Sequence, residues 1–328
     1  MWKTAGAAVR GVTHIKYSIP CQDRTKSFSE NGISIICLAD GAGSAKFSHI
    51  GAEIVTNSAI EYFSVNFRKL ISEKDGKKVK HDILTFLYDR LLKKSVELKC
   101  NIKDLATTLL LVAICDNEFI IVHVGDGVIG YLDGETLKVA SFPENGEFAN
   151  VTTFITSADA LYSIKLIKGT VKNIAGFILM SDGSEQSLYN KSLRTLAPAV
   201  TMLFRCNCIL PPPSMHDYLQ ETLESLISKR TQDDCSIAII SRITPFLLNC
   251  SVFSIDMQLK LFNISKFSKS QKRQILRCRK IIEYLDSKKT LRQISAYTRI
   301  KPKYVIKYLN KLLECNLITK EESFYLKT

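Results

Sequence analysis

The sequence predicts an α+β fold: a β-rich part in which two antiparallel sheets are covered by helices, followed by a small basic domain of helices and a hairpin. Three observations carry this. Along residues 1–242, apolar runs of strand length alternate with a few stretches whose apolar positions recur at three and four residues. Between Thr107 and Leu132 consecutive strands are joined by short turns, which predicts an antiparallel meander and not βαβ units. Finally, the charge breaks sharply: residues 259–328 hold 18 of the 45 basic but 5 of the 32 acidic residues, so the whole net charge of +13 lies there and suggests a domain boundary.

In order, strands are expected at 33–39, 107–114, 119–124, 128–132, 151–155, 177–180 and 236–241, and helices at 49–67, 80–99, 190–204 and 215–229. From Ile243 the periodicity weakens around Pro245, which places a linker at 244–268 between a first domain, 1–243, and a second, 269–328. The second domain reads as helices at 271–285, 291–297 and 303–315, the last with Val305, Leu309, Leu312 and Leu313 on one face. An apolar, polar, apolar pattern from Leu317 onward predicts a hairpin. Three helices followed by a hairpin is the layout of a winged helix-turn-helix.

A hydrophobic content of 46% suffices for a folded core, and no apolar stretch approaches the length that spans a membrane. The first residues lack the apolar core of a signal peptide, so the chain is expected in the cytoplasm with its ten cysteines as buried thiols in a reducing compartment. Cys206 and Cys208 form the only close pair, and with only His216 nearby they make no zinc site.

Chemistry concentrates in aspartates. Asp40, Asp126, Asp182 and Asp234 each end or closely follow an apolar run, and the first three are followed by glycine. Asp-Gly serves ordinary turns. Strand tips that converge would instead gather carboxylates and carbonyls at one point, the oxygen-rich setting that Mg²⁺ and Mn²⁺ require. Carboxylates so crowded repel unless a cation sits among them, and two metals roughly 3.5–4 Å apart can activate a shared water against a phosphoryl group. Rival hydrolase chemistries fail on spacing: no cysteine is followed by arginine after five residues, and neither a phosphate-cradling G-x-x-x-x-G-K-[ST] loop nor a G-x-S-x-G elbow occurs.

Read in order, Gly11, His14 and Cys21-Gln22-Asp23, then Leu38-Ala-Asp-Gly-Ala-Gly-Ser44 with Gly51-Ala52, Ala106-Thr-Thr-Leu109, Val124-Gly-Asp-Gly127, Met180-Ser-Asp-Gly183 and Thr231-Gln-Asp-Asp234 resemble the motifs of the metal-dependent protein phosphatases, type 2C or PPM. The resemblance covers residues 1–242. It implies a four-layer α-β-β-α sandwich and hydrolysis of phosphoserine and phosphothreonine by a metal-bridging water, with two or three Mg²⁺ or Mn²⁺ ions. It also implies roles. Asp40 bridges two core ions, the Gly41 carbonyl ligates one of them, and Asp182 and Asp234 complete the other. Asp126 with Asp182 holds a third, weaker ion, and Asp23 acts through bound water.

Three positions depart from the pattern. Gln22 stands where an acidic residue is frequent, and Ala42 where eukaryotic members often carry a histidine that protonates the leaving group. The phosphate-binding arginine is out of place, leaving Arg10, His14 and Lys16 as the nearest cations; His14 serves either phosphate contact, as a candidate catalytic residue, or structure. His49 reads as a helix-capping or packing residue. These departures keep an alternative open, a weak or inactive domain that senses a phosphorylated partner or DNA. The resemblance further implies a phosphorylated protein substrate, with a cognate Ser/Thr kinase or its targets as partner. In the tail, Arg292, Arg299, Lys301, Lys303, Lys307 and Lys311 suit nucleic-acid phosphates, a protein partner or a solvated face.

Overall fold

The computed structural model describes residues 2–143 and 152–327, apart from 245, 249–252, 262–263, 265–267 and 316. They form two compact units, Met1–Asn207 with Pro212–Arg242, and Cys208–Pro211 with Ile243–Thr328.

The first unit holds strands β1 (Trp2–Val9), β2 (Arg24–Glu30), β3 (Ile33–Ala39), β4 (Leu109–Cys115), β5 (Glu118–Val124), β6 (Val128–Asp133), β7 (Thr136–Ser141), β8 (Lys165–Thr170), β9 (Ile174–Met180), the short pair β10 (Tyr189–Asn190) and β11 (Thr195–Leu196), and β12 (Cys235–Arg242). Its helices are α1 (Val12–Lys16), α2 (Ser48–Ser72), α3 (Gly76–Leu98), α4 (Ala160–Ser163), α5 (Asp182–Leu188), α6 (Ala199–Ile209) and α7 (Pro212–Thr222). Two antiparallel five-stranded sheets result, in the orders β1-β12-β9-β6-β7 and β2-β3-β4-β5-β8.

Side-chain alternation along β3 and β4 explains the layering. Ile35, Cys37, Leu109, Leu111 and Ala113 pack against Val55, Phe63, Ile83 and Leu87 of α2 and α3. Their neighbours Ile36, Leu38, Leu110 and Val112 face Leu179, Ala238 and Ile240 of the other sheet. Strands buried on both faces read as continuous apolar runs, which is why they are visible in the sequence. On the outer face of the β1-side sheet, α6 sends the Asn207 amide to the Lys3 carbonyl and the Ser241 hydroxyl at 2.9 and 2.8 Å, and Phe204 packs over Gly176.

Several expectations are corrected. The strands β1, β2, β7 and β8 were not apparent in the pattern, and all four are sheet edges. An edge strand needs no apolar run, and β2 (RTKSFSE) and β8 (KLIKGT) have none. The expected meander breaks after β5: β6 leaves for the other sheet and pairs with β9 and β7. No strand forms at 152–155, where Thr152–Phe154 run without regular structure, while Val151 lies outside the described residues. The helix expected at 190–204 begins at Ala199, since the Asn190 side chain accepts from the Leu193 amide at 2.9 Å and turns β10 into β11. The helix expected at 215–229 ends early as α7, continuing as a π-turn over Leu223–Ile227 and a 3₁₀ turn over Ser228–Arg230.

In the second unit, α8 (Ile255–Leu261) falls inside the segment expected to be a linker, and Leu247, Leu248, Phe253 and Met257 there are buried. Next come α9 (Lys269–Tyr284), β13 (Lys289–Thr290), α10 (Leu291–Thr298), α11 (Pro302–Glu314), β14 (Ile318–Glu321) and β15 (Phe324–Lys327). Local signals set the boundaries: Ser268 caps α9, a Thr290–Gln293 capping box opens α10, left-handed Arg299 closes it, and Pro302 opens α11. Ile275, Cys278, Ile281, Ile294, Val305 and Leu309 are buried on the three helices, and the three short strands pair in the order β13-β15-β14.

Candidate active site

Strand direction brings the acidic residues to one edge. β3 and β5 both pair antiparallel with β4, so they end on the same side; β12 is antiparallel to β9 and starts where β9 stops. Asp40 follows β3, Asp126 follows β5, Asp182 follows β9 and Asp233 precedes β12. All four line a single pocket of about 140 Å³, together with Gly41, Ala42, Thr108, Thr152 and Phe154.

Neighbouring hydroxyls and amides fix the backbone that carries these carboxylates. The Asp40 amide donates to the Thr108 hydroxyl at 2.9 Å, while the Thr107 hydroxyl and Thr108 amide donate to the Asp40 carbonyl at 2.9 and 2.8 Å. Asp126 follows a turn at Gly125, whose φ of +120° only glycine adopts readily and where a Cβ would lie 2.5 Å from Thr108. Beneath that turn, buried His123 donates from Nε2 to the Gly125 carbonyl at 2.9 Å, and its Nδ1 lies 2.6 Å from the Ser141 hydroxyl. Burial, then the nearby Lys165 charge, lowers the His123 pKa to about 3, so the ring is neutral and accepts at Nδ1. The Thr152 hydroxyl donates to Asp126 Oδ2 at 2.5 Å.

The pocket is electrostatically unbalanced. Burial first, then the Asp23, Asp182, Asp126 and Asp233 carboxylates, push the Asp40 pKa well above its ordinary value. Asp40 nevertheless keeps partial access to the pocket, so the charge repulsion is the part of this push that a bound cation relieves. Asp182 rises to about 6 through burial and then Asp126 and Asp233. Asp23 lies 1% exposed behind the pocket and rises to about 8, mainly by burial. The Ser236 and Ser181 hydroxyls approach Asp23 closely enough to temper that rise, yet neither carboxylate oxygen has a hydrogen bond of ordinary geometry. Unsatisfied buried oxygens behind four crowded carboxylates fit a hard divalent cation. Among the described residues no three acidic, histidine or cysteine side chains already form a ligand set. Mg²⁺ keeps several of its waters and needs no such set.

Asp234 is placed differently from the expectation. Its Oδ1 accepts from the Gly11 amide at 2.6 Å and its Oδ2 from the Gln22 amide at 2.5 Å, and it is 2% exposed. Gly11 can approach because it lacks a side chain; a Cβ there would lie 2.3 Å from the Asp233 backbone. Asp234 therefore ties the loops after β1 and before β2 to β12, and Asp233 is the residue that lines the pocket. His14 faces Asp234, with Nδ1 2.9 Å from Oδ1 but not aligned for a hydrogen bond. Arg10 reaches the Ile19 carbonyl at 3.4 Å and Lys16 lies over the Tyr17 ring, so neither lines the acidic pocket. His14 lines a neighbouring cavity instead, beside Lys229 and Arg230. Gln22 is buried, with its carbonyl accepting from the Gly41 amide at 3.2 Å, and Ala42 packs with Ala45, Ala106 and Phe154. His49 is half-buried in the first turn of α2 and lines neither the pocket nor this cavity.

A sequence profile for Protein phosphatase 2C matches residues 10–224, more than half of the chain. The chain belongs to the protein phosphatase 2C family. This phosphatase is 26% identical over 251 residues to Serine/threonine-protein phosphatase 3 of Escherichia coli strain K12, covering 73% of this chain and 97% of that protein. Its fold is similar to that of a crystallised bacterial serine phosphatase, with TM-score 0.53, 13% identity, and 74% and 98% of the two chains covered. The serine/threonine phosphatase Stp1 of Staphylococcus aureus gives TM-score 0.53 at 15% identity, with 74% and 96% covered. The phosphatase is thus a protein serine/threonine phosphatase built on two antiparallel sheets with flanking helices. Among the described residues no helix is long and apolar enough to cross a membrane.

Sequence reasoning missed Asp233 as a pocket residue, although the Asp-Asp pair was in view, and it missed His123 and Thr152 altogether. A histidine inside the apolar run FIIVHVGD, two residues before Gly125, is the signal that would have found His123.

Proposed function

We propose that this phosphatase hydrolyses phosphoserine and phosphothreonine with two Mg²⁺ or Mn²⁺ ions at the acidic pocket and a third, weaker one at Asp126 and Asp182. The observation that carries this is the convergence of Asp40, Asp126, Asp182 and Asp233 on a single small pocket. Asp40, Asp182, Asp233 and the Gly41 carbonyl would hold the core ions, and Asp23 would act from behind. When bound, such ions lower the pKa of water and draw charge from phosphoryl oxygens. Thr107 and Thr108 keep Asp40 aimed, and His123 keeps the Asp126 turn closed. Ala42 has no acidic group, so the leaving alkoxide takes its proton from water or from another residue. Phosphorylated proteins, the products of a Ser/Thr kinase, are the substrates, and the phosphatase acts in the cytoplasm.

Residues 269–328 form a winged-helix module in this reading, one that targets the phosphatase. Arg292, Arg299, Lys301, Lys303 and Lys307 are all exposed, and none has an ion pair among the described residues, which favours contact with nucleic-acid phosphates.

The test is Mn²⁺-dependent release of phosphate from a phosphothreonine peptide, with Asp182→Asn as control. An inactive wild type, or a control as active as wild type, would sink the enzymatic reading. For the module, a gel shift of the full chain on duplex DNA at low salt is expected to weaken steeply as salt is raised; no retardation at any salt removes nucleic acid as partner.

A further inference from the structure

Beside the acidic pocket lies a second and larger cavity of about 550 Å³, lined by Thr13, Gln186, Lys229, Arg230, Gln232 and Asp233, with His14 in its wall. Asp233 belongs to both, so the two share a wall. Every residue in the lining has a polar or charged side chain.

The irregular end of α7 creates this surface. The π-turn buries Leu223 and Ile227, and the 3₁₀ turn that follows leaves Lys229 and Arg230 exposed. Opposite them, the α1 loop is braced by the Thr13 amide on the Gln232 carbonyl at 3.2 Å and by the Thr13 hydroxyl on Gln232 Oε1 at 3.3 Å. Among the described residues neither Lys229 nor Arg230 has an ion pair or hydrogen bond, although other surface lysines and arginines of this unit, such as Lys78, Arg90, Lys94 and Lys138, are paired.

We infer that this cavity receives a second anionic side chain of the substrate, a carboxylate or another phosphate next to the phosphoresidue, on Lys229 and Arg230. The inference rests on the phosphatase reading. An extended peptide advances about 3.3 Å per residue, so a side chain one or two positions from a phosphoresidue in the acidic pocket reaches a cavity that shares its wall. Two adjacent cations that form no ion pair among the described residues attract an anion there, and Thr13, Gln186 and Gln232 add neutral hydrogen-bonding groups. The cavity thus favours acidic or multiply phosphorylated segments over neutral or basic ones.

The test compares peptides in which every phosphoresidue is a non-hydrolysable phosphonate, carrying Asp, a phosphoserine phosphonate or Ala on either side of the central analogue, bound to the full chain in Mg²⁺ and read by fluorescence anisotropy. The Asp and phosphoserine peptides are expected to bind about three- to tenfold more tightly than the Ala peptide, the range for two partly exposed ion pairs. Lys229→Glu with Arg230→Glu should invert that order, and Lys229→Gln with Arg230→Gln should flatten it, with thermal melting confirming that both variants fold. No preference in the wild type, or a preference unchanged by charge reversal, overturns the inference. Whether phosphoserine exceeds Asp separates a phosphate subsite from a carboxylate one. The binding readout stands apart from turnover, so failure to hydrolyse the parent phosphopeptides would count against the phosphatase reading while the ratio still decides this one.

Discussion

The acidic pocket of the first unit and the basic face of α11 in the second hold like charges in opposite ways. Asp40, Asp126, Asp182 and Asp233 crowd together in front of buried Asp23, and the pKa values of Asp23, Asp40 and Asp182 are driven up. Lys303 and Lys307 of α11, and Lys301 at its N-cap, stand apart in solvent, while the other face of the helix is buried. Water screens the exposed cations at little cost, whereas the crowded carboxylates remain a standing penalty until a cation or a proton arrives. Buried repulsion is therefore the stronger mark of a ligand, and exposed charge a mark of what the surface attracts.

Breaking the acidic side should produce the largest effect. Asp182→Asn or Asp233→Asn is expected to lower kcat/KM for a phosphothreonine peptide at least about a hundredfold, while raising the melting temperature of the metal-free chain by removing one repelling charge. Lower stability in chelator would contradict the account of stored repulsion.

The metal-free pocket also predicts a pH dependence. Folding raises Asp23 to about 8 and Asp182 to about 6, from an ordinary value of 3.8, and raises Asp40 as well, so the folded chain binds these protons more tightly than the unfolded one. Their contribution to stability is complete below pH 4 and is lost as pH rises through about 6 and then 8. Melting temperature in chelator should fall between pH 5 and pH 8.5, and saturating Mn²⁺ should remove most of that slope. An equal slope with and without Mn²⁺ would break the comparison.

Asp234→Asn sharpens it from the structural side. An asparagine there must turn an NH₂ toward the Gly11 or the Gln22 amide, losing an acceptor for a buried donor, at a cost of about 1–3 kcal/mol in chemical denaturation. If Asp234→Asn retains stability but Asp233→Asn retains activity, the placement of the two residues is reversed.

The smallest effect on stability should come from the basic face. Replacing Lys301, Lys303 and Lys307 by Gln is expected to change stability by less than about 0.5 kcal/mol per site. The same variant should reduce the log–log salt slope of DNA binding by about 0.9 for each phosphate that a lysine no longer neutralises. A large loss of stability would mean that these lysines are structural.

Much of this was legible in the chain. The central strands β3, β4, β5, β9 and β12 announce themselves because burial on both faces demands unbroken apolar runs, and the aspartates at their tips stand out against them. Edge strands were hidden for the complementary reason, since half of an edge meets solvent and its sequence need not be apolar. β1 (WKTAGAAV) is the clearest case, with small residues where a run would be.

By itself the sequence determined the buried strands, the helix faces and the set of aspartates, all of which follow from local periodicity and local turn chemistry. Tertiary structure decided which of two adjacent aspartates faces the pocket. Asp233 lies in the bend that leads into β12 and Asp234 immediately before the strand, and only the pairing of β12 with β1 and β9 says which of them meets the pocket and which meets the amides of Gly11 and Gln22. The same packing set Lys229 and Arg230 beside the carboxylates, because an irregular helix end brings together residues whose spacing in the chain carries no sign of it.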